Sequence, residues 1–173
     1  IYTNAREITN LAVGLPVGFV LGKTYQPLDV STGRFENQGL IENKFGLARA
    51  STLVVGEVRL APLGTLNAAG TVNDAGNRVD VDFRRITFGL DELLGTAVRG
   101  VRKVIVPRQD PTAAQPANDI TYLDDRLRVT RGGDDGLFIF IREDSPRAML
   151  TATERAELYR EGGSEVATGK GVA

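Results

Sequence analysis

The stretch ITYLDDRLRVTRGGDDGLFIFIR, residues 120–142, contains two β-type runs separated by a turn. The runs 119–130 and 137–142 are rich in Ile, Leu, Val, Tyr and Phe, which favour strands. The segment 131–136 between them consists of Arg, Gly and Asp, and clusters of Gly and Asp end strands and form turns. The stretch therefore predicts a β-hairpin.

Similar short runs precede this hairpin along the chain. Residues 25–30 and 34–41 flank the turn-forming segment 31–33, and residues 101–106 form a run that Pro107 ends. The polar segments 66–77 and 108–118 have the composition of surface loops. Together these runs predict seven to nine short strands in an antiparallel sandwich or small barrel. A barrel is favoured because closure removes exposed strand edges.

Two of the runs, 50–60 and 78–83, alternate between apolar and polar positions, as half-buried strands do. The positions predicted to face the interior are Val54, Val58 and Leu60 in the first run, with Gly56 between them, and Val79, Val81 and Phe83 in the second. The opposite face receives Glu57, Arg59, Asp80 and Asp82. The phase changes at Arg84–Arg85, which predicts a β-bulge or a strand end.

Helical signals are weak and short. We expect helices at 3–11 and at 154–160, the second capped by Thr153, one helical turn at 90–94, and a flexible tail from residue 162. Residues 11–21 (LAVGLPVGFVL) are apolar but contain Pro16 and are about half as long as the ~20 residues of a membrane-spanning helix. They are interpreted either as a buried segment or as a lipid-facing or protein-facing contact made by Leu15, Phe19, Val20 and Leu21.

Composition excludes several classes of function. The 173 residues suit one domain, and 21 Lys and Arg against 22 Asp and Glu give no net field that would attract nucleic acid. Cysteine and histidine are absent, which removes thiol nucleophiles, disulfides, His-based triads and the common zinc ligand sets. We therefore expect no enzymatic activity and no nucleic-acid partner.

The charged side chains of the deciding stretch form one candidate site. With regular alternation, Tyr122, Asp124, Arg126 and Arg128 share a face, and an inward-facing Arg128 could hold a carboxylate or ketone head group. The alternative is that Asp124 or Asp125 pairs with Arg128 or Arg131 and fixes the hairpin. The same choice, between a ligand site and a structural ion pair or turn network, applies to Arg34, Glu36 and Asn37.

The remaining carboxylates carry no strong signal for metal or acid–base chemistry. Asp80 and Asp82 share a strand face without a ligand-dense loop beside them, so we interpret them as solvated charges. The Asp134–Asp135–Gly136 segment is too short for a calcium loop and reads as turn chemistry. No metal site is predicted.

Two segments resemble the plastid lipid-associated protein family, also called fibrillins or plastoglobulins. Residues 120–142 are similar to its C-terminal signature of Thr-Tyr, two acidic residues, Arg, an apolar pair and Arg-Gly before an apolar strand. Residues 24–37, with Tyr25–Gln26, Leu28–Asp29 and Glu36–Asn37, resemble its opening motif. The similarity covers about residues 21–143, although the family's Trp-containing first strand has no counterpart before Leu15.

The resemblance implies an all-β fold, a lipocalin-like antiparallel β-barrel with short helices at the N- and C-terminal ends. We expect an N-terminal segment 1–20, a barrel domain 21–143 and a C-terminal helix with a tail, 144–173. The predicted interior consists of Val54, Val58, Val79, Val81, Phe83 and Leu137 or its neighbours.

The resemblance also implies a chloroplast protein at thylakoids or plastoglobules. It would bind a lipid or isoprenoid pigment, such as a carotenoid, chlorophyll, quinone or fatty acid, with no covalent cofactor. The alternative function is an interaction subunit, a filled barrel docked on a photosystem or antenna complex of the thylakoid membrane through residues 11–21 and the C-terminal tail.

Overall fold

The computed structural model describes residues 2–3, 18–107, 116–133, 135–145 and 147–160. The elements within these residues are β1 (Tyr2–Thr3), β2 (Phe19–Tyr25), β3 (Leu28–Asp29), β4 (Arg34–Asn43), β5 (Ala48–Leu60), β6 (Arg78–Leu93), β7 (Thr96–Ala97), β8 (Arg102–Ile105), β9 (Ala117–Leu123), β10 (Leu127–Gly132), β11 (Leu137–Ile141) and the helix α1 (Ala152–Arg160). Thr3 lies in β1 and not in the expected helix at 3–11, and the rest of that helix, Leu15 and the tail from 162 lie outside the described residues.

The strands form one antiparallel sheet in the order β1-β11-β10-β9-β6-β5-β4-β2, and the sheet curls into a half-barrel. The long strand β6 pairs with β9 through residues 78–80 and with β8 through residues 86–89, so one strand supports two successive neighbours. The predicted antiparallel all-β fold is confirmed, and so are the hairpin of β10 and β11 and the C-terminal helix. The single strand predicted at 119–130 is wrong, because a turn divides that run into β9 and β10, which pair with each other.

Two bulges shape β6. Val55 pairs with Arg85 and Gly56 with Phe83, so Arg84 is the extra residue, which confirms the bulge predicted there. A second register shift leaves Asp91 as the extra residue between the partners of Arg49 and Ala50. The predicted helical turn at 90–94 is therefore wrong, because residues 90–93 continue β6 through this second bulge.

The pairing register separates the two faces of the sheet. Cross-strand partners share a face, and they place Phe35, Gly56, Phe83, Val58 and Val81 on one side and Glu36, Val55 and Arg85 on the other. The first set confirms most of the predicted interior alternation. Leu60 is an exception, because it lies exposed at the end of β5. Leu137 is a second exception: it pairs with Arg131, while its neighbour Phe138 occupies the interior face with Thr130.

The C-terminal segment covers part of the second face. Thr151 caps α1: its hydroxyl accepts from the Glu154 backbone N–H at 3.3 Å, and the Glu154 carboxylate accepts from the Thr151 backbone N–H at 2.8 Å. The predicted cap at Thr153 is wrong by two residues. Leu158 and Arg155 are the buried residues of α1, and they lie toward the sheet.

Candidate functional site

Arg128 on β10 reaches across the first face of the sheet. Its Nη2 donates a hydrogen bond to Oε1 of Gln26, and Nε2 of Gln26 donates to Oδ1 of Asn37 on β4 at 2.8 Å. In the sheet order β10 and β4 are separated by β9, β6 and β5. A bond between side chains so far apart along the sheet must span its concave side, so the face that carries Asn37 and Arg128 is the concave face.

The guanidinium of Arg128 lies in apolar surroundings. Its Cζ is 4.1 Å from the centroid of the Phe140 ring, and the Phe138 ring stacks beside Phe140 with centroids 6.3 Å apart. Burial lowers the pKa of Arg128, although a guanidinium remains charged at neutral pH. Within the described part of the chain, no carboxylate forms an ion pair with it.

Two buried polar atoms on this face have no hydrogen-bond partner among the described residues. One is Nε of Arg128, and the other is the hydroxyl Oγ1 of Thr130, two residues along the same strand. Unsatisfied buried donors are costly, and each such group in a folded protein calls for an explanation. Here both belong to one strand and one face, so they offer two hydrogen-bonding groups on the concave side.

The concave face around this site is apolar. Phe35, Val81 and Ile41 are buried on it, and the Phe35 and Phe83 rings meet edge to face with centroids 5.8 Å apart. Gly56 makes room for the Phe35 ring. The face therefore combines a hydrophobic surface with the guanidinium of Arg128.

The predicted contact residues on β2 divide between the two faces. Phe19 and Leu21 pair with Asn43 and Ile41 and so face the concave side, whereas Val20 pairs with Glu42 on the other side. All three are partly buried. Leu15 lies outside the described residues.

The other predicted residues of the hairpin are separated from Arg128. Tyr122 pairs with Val129, while Leu123 pairs with Arg128, so Tyr122 and Arg128 occupy opposite faces. The expectation of a shared face is wrong because the turn 124–126 interrupts the alternation. The predicted pairing of Asp124 or Asp125 with an arginine is not seen among the described residues either, since Arg128 contacts Gln26 and Arg131 pairs with Asp135 at 3.2 Å.

Asp124 organises that turn. Its carboxylate accepts from the backbone N–H groups of Arg126 and Leu127 at 2.8 and 2.6 Å and from the Tyr122 hydroxyl at 2.8 Å. The bond from the Arg126 N–H, followed by those from Tyr122 and Leu127, lowers the pKa of Asp124. The hydrogen bond to Asp124 raises the pKa of Tyr122. Tyr122, Asp124 and Arg126 thus form an exposed structural turn.

Arg34 belongs to a network on the convex face. Its Nη2 donates to the Leu150 carbonyl at 2.8 Å. The fully buried Glu36 accepts from the Leu150 N–H at 2.9 Å and lies 3.6 Å from Nη2 of Arg155. The structural interpretation of Arg34 and Glu36 fits these contacts, which hold the C-terminal segment against the sheet.

The convex face also carries Asp80 and Asp82. Asp80 pairs with Arg59 at 3.5 Å and Asp82 with Arg84 at 2.7 Å, so these carboxylates are ion-paired, contrary to the expectation of solvated charges. Beside them is a cleft of about 130 Å³ that Glu57 and Arg59 help to line, which is small for a lipid. No group of three acidic residues in the described ranges could hold a metal ion.

Gln26, Thr130 and Phe140 were not identified as site residues by sequence reasoning. Gln26 is part of the family-like Tyr25–Gln26 pair, but alternation cannot reveal a partner 102 residues away. Thr130 lies two residues after Arg128 on β10, and Phe140 pairs with Arg128 across the hairpin, so the hairpin register could have grouped the three residues.

Comparison with known proteins supports the resemblance. The PAP_fibrillin family model matches residues 1–141, which is most of the chain. No curated protein and no solved structure gives a match. No helix among the described residues is long and apolar enough to cross a membrane. Because the family match includes both segments that carry the resemblance, the chain belongs to the PAP_fibrillin family of plastid lipid-associated proteins.

Proposed function

We propose that this chain is a non-catalytic binding protein for an apolar plastid ligand with an oxygen-bearing head group. Arg128 would bind the head group, and the hydrophobic tail would lie along the concave face. The observation that carries the proposal is the guanidinium of Arg128, which lies over Phe140, forms no ion pair with a described carboxylate and has a buried Nε without a hydrogen-bond partner among the described residues. A cation in apolar surroundings without a carboxylate is suited to an anionic or polar ligand.

The geometry favours some ligands over others. A fatty-acid carboxylate or a quinone carbonyl could accept hydrogen bonds from Nε of Arg128 and from the hydroxyl of Thr130. A hydrogen bond to a charged group contributes about 1.5–3 kcal/mol, and a hydrocarbon carotenoid could form none. We therefore place fatty acids and quinones ahead of carotenoids and chlorophyll as ligands of this site.

We propose that the protein acts at the thylakoid membrane or at plastoglobules, where such ligands are concentrated. Docking on a photosystem or antenna complex remains the alternative. That function would use residues 11–21 and the C-terminal tail as contacts, and of these the described residues include 18–21 alone. Ligand binding therefore has more support from the described contacts.

The test begins with the native protein, isolated from thylakoid membranes in mild detergent, separated on a size gradient and extracted for mass spectrometry. A small or lipid-associated species that carries a stoichiometric fatty acid or quinone supports the proposal. Migration with a photosynthetic complex, without stoichiometric lipid in the purified protein, overturns it in favour of docking.

Variants then locate the site. We expect Arg128→Ala to lower the ligand content about tenfold, since about 1.4 kcal/mol corresponds to a factor of ten. Arg126→Ala is the matched control, because Arg126 is an exposed arginine in the turn that precedes β10. Equal ligand content in the two variants would exclude Arg128 as the anchor.

A further inference from the structure

Two hairpin turns at one end of the sheet expose large apolar side chains. Phe45 and Leu47, in the turn between β4 and β5, are 77% and 49% exposed. Leu93 and Leu94, at the turn between β6 and β7, are 47% and 72% exposed, and Val101 before β8 is 55% exposed. These five residues are called the hairpin-tip patch.

Backbone pairing brings the five residues together. Ala48 pairs with Leu93, and the Leu94 N–H donates to the Leu47 carbonyl at 2.7 Å, which joins the two turns. The Leu90 N–H donates to the Val101 carbonyl at 3.0 Å and attaches the segment before β8. The five residues are therefore clustered at one end of the sheet, unlike the singly exposed apolar residues that occur on most protein surfaces.

The turns project away from the rest of the chain. Gly46 and Gly95 have φ values of 70° and 75°, and a Cβ built on either would meet no atom within 4 Å. Leu94 itself has a φ of 51°, in the left-handed region that favours Gly or Asn. An apolar side chain thus occupies a strained position at the tip, where a glycine would relieve the strain.

Basic residues surround the patch. In the segments 42–49 and 89–103 the cations are Lys44, Arg49, Arg99, Arg102 and Lys103, against the carboxylates Glu42, Asp91 and Glu92. Glu92 pairs with Arg49, and Asp91 accepts a hydrogen bond from Ser51 at 3.0 Å. Lys44, Arg99 and Lys103 are exposed beside the apolar tips. Apolar side chains with flanking cations are complementary to the hydrocarbon and head groups of an anionic lipid surface.

We infer that the hairpin-tip patch inserts into an anionic lipid surface. This inference rests on the proposed function and deepens it, because it names the surface by which the ligand-binding sheet would reach its lipid. Protruding turns with a cationic rim suit insertion below the head groups. For a protein partner we would instead expect a pocket or a flat complementary surface at this position.

The experiment measures binding of the purified full chain to sedimenting vesicles of equal parts phosphatidylcholine and phosphatidylglycerol. We expect the double variant Phe45→Ser/Leu94→Asn to reduce the partition coefficient about tenfold or more, because it removes two apolar anchors. Asn tolerates the backbone conformation of Leu94, so folding should be retained and is checked by circular dichroism and a thermal melt.

The matched control is Leu60→Ser/Leu63→Ser. These leucines are 79% and 69% exposed, close to the values for Phe45 and Leu94, but they lie at the opposite end of the 13-residue strand β5, roughly 40 Å away. The control should bind vesicles as the wild type does. Equal loss in both double variants, or no loss in either, would overturn the inference.

Charge reversal separates the electrostatic contribution to vesicle binding from the apolar contribution. Lys44→Glu/Lys103→Glu should weaken binding to the anionic vesicles and leave the weaker binding to pure phosphatidylcholine unchanged. Lipid insertion would be overturned in favour of protein docking by two results together: the wild-type protein binds no vesicles, and the tip variant loses a protein partner that the wild type binds.

Failure of this inference is distinguishable from failure of the proposed function. Arg128→Ala should lose the extracted ligand and keep vesicle binding, while the tip variant should do the reverse.

Discussion

Arg78 and Asp119 form a two-bond ion pair that joins β6 to β9. Nε of Arg78 donates to Oδ1 at 2.5 Å and Nη2 donates to Oδ2 at 2.8 Å, while Nη1 donates to the carbonyls of Thr65 and Thr71 in the loop between β5 and β6. Arg78 is 1% exposed. The bond to Asp119 raises the pKa of Arg78. One buried side chain thus holds a strand pair and a loop together.

Removal of this guanidinium should be among the most destabilising changes in the sheet. We expect Arg78→Ala to lower the free energy of unfolding by about 3–5 kcal/mol, because Asp119 and two loop carbonyls lose their partner. Urea unfolding followed by circular dichroism measures the change. The control is Arg49→Ala, which breaks the exposed pair with Glu92 and should cost below about 1 kcal/mol. Similar losses in both variants would contradict the prediction.

Gly56 is required by the packing of the concave face. A Cβ at this position would lie 2.3 Å from Cε1 of Phe35 and 2.5 Å from the Asp82 carbonyl oxygen. Gly56→Ala should therefore destabilise the protein by about 1–3 kcal/mol or more. Gly133→Ala serves as the control, since its Cβ would meet its nearest atom at 3.7 Å. Thermal melts of the two variants should differ clearly, and equal melting temperatures would contradict the packing argument.

Glu36 holds the C-terminal segment on the convex face. The variant Glu36→Gln keeps the shape of the side chain but removes the charge that faces Arg155, so we expect a loss of about 2–4 kcal/mol. Hydrogen exchange at the Leu150 N–H, which donates to Glu36, should accelerate. The control Glu157→Gln changes an exposed residue of α1 and should leave that exchange rate unchanged. Unaltered exchange in Glu36→Gln would show that other contacts hold the segment.

Asp29 should make stability depend on pH in the acidic range. Hydrogen bonds from the Ser31 and Thr32 hydroxyls lower the pKa of Asp29 from 3.8 to about 2. Because the folded pKa lies below the unfolded value, the contribution is complete above 3.8 and is lost as the pH falls toward 2. The stability difference between wild type and Asp29→Asn should shrink between pH 5 and pH 2 in urea unfolding. A difference that stays constant over this range would contradict the assignment.

Local sequence patterns predicted the strands and the turns between them. The alternation around Val81 and the phase change at Arg84 appear in the structure as predicted, because a strand's side-chain period and a bulge's extra residue are both local features. Local reasoning failed at residues 90–94. Asp91 near two leucines resembles a capped helical turn, and only pairing with β5 shows that it is a bulge.

Burial on the convex face could not be predicted from alternation. Val55 is fully buried although its face carries the charged residues Glu57 and Arg59. It lies between Glu36 and Arg85 in the register, and both of those residues contact the C-terminal segment. Nothing in residues 50–60 indicates that a segment about a hundred positions later will cover them.

The sequence by itself determined the antiparallel β class, the hairpin of β10 and β11 and the family, since each depends on residues close together in the chain. The tertiary structure decided which charged residues are functional candidates. Curling of the sheet brings Gln26 and Arg128 together across the concave face and leaves Tyr122, Asp124 and Arg126 in an exposed turn. The physical reason is that a strand's period assigns relative faces, whereas only the curl of the whole sheet determines which face is concave and which distant side chains meet there.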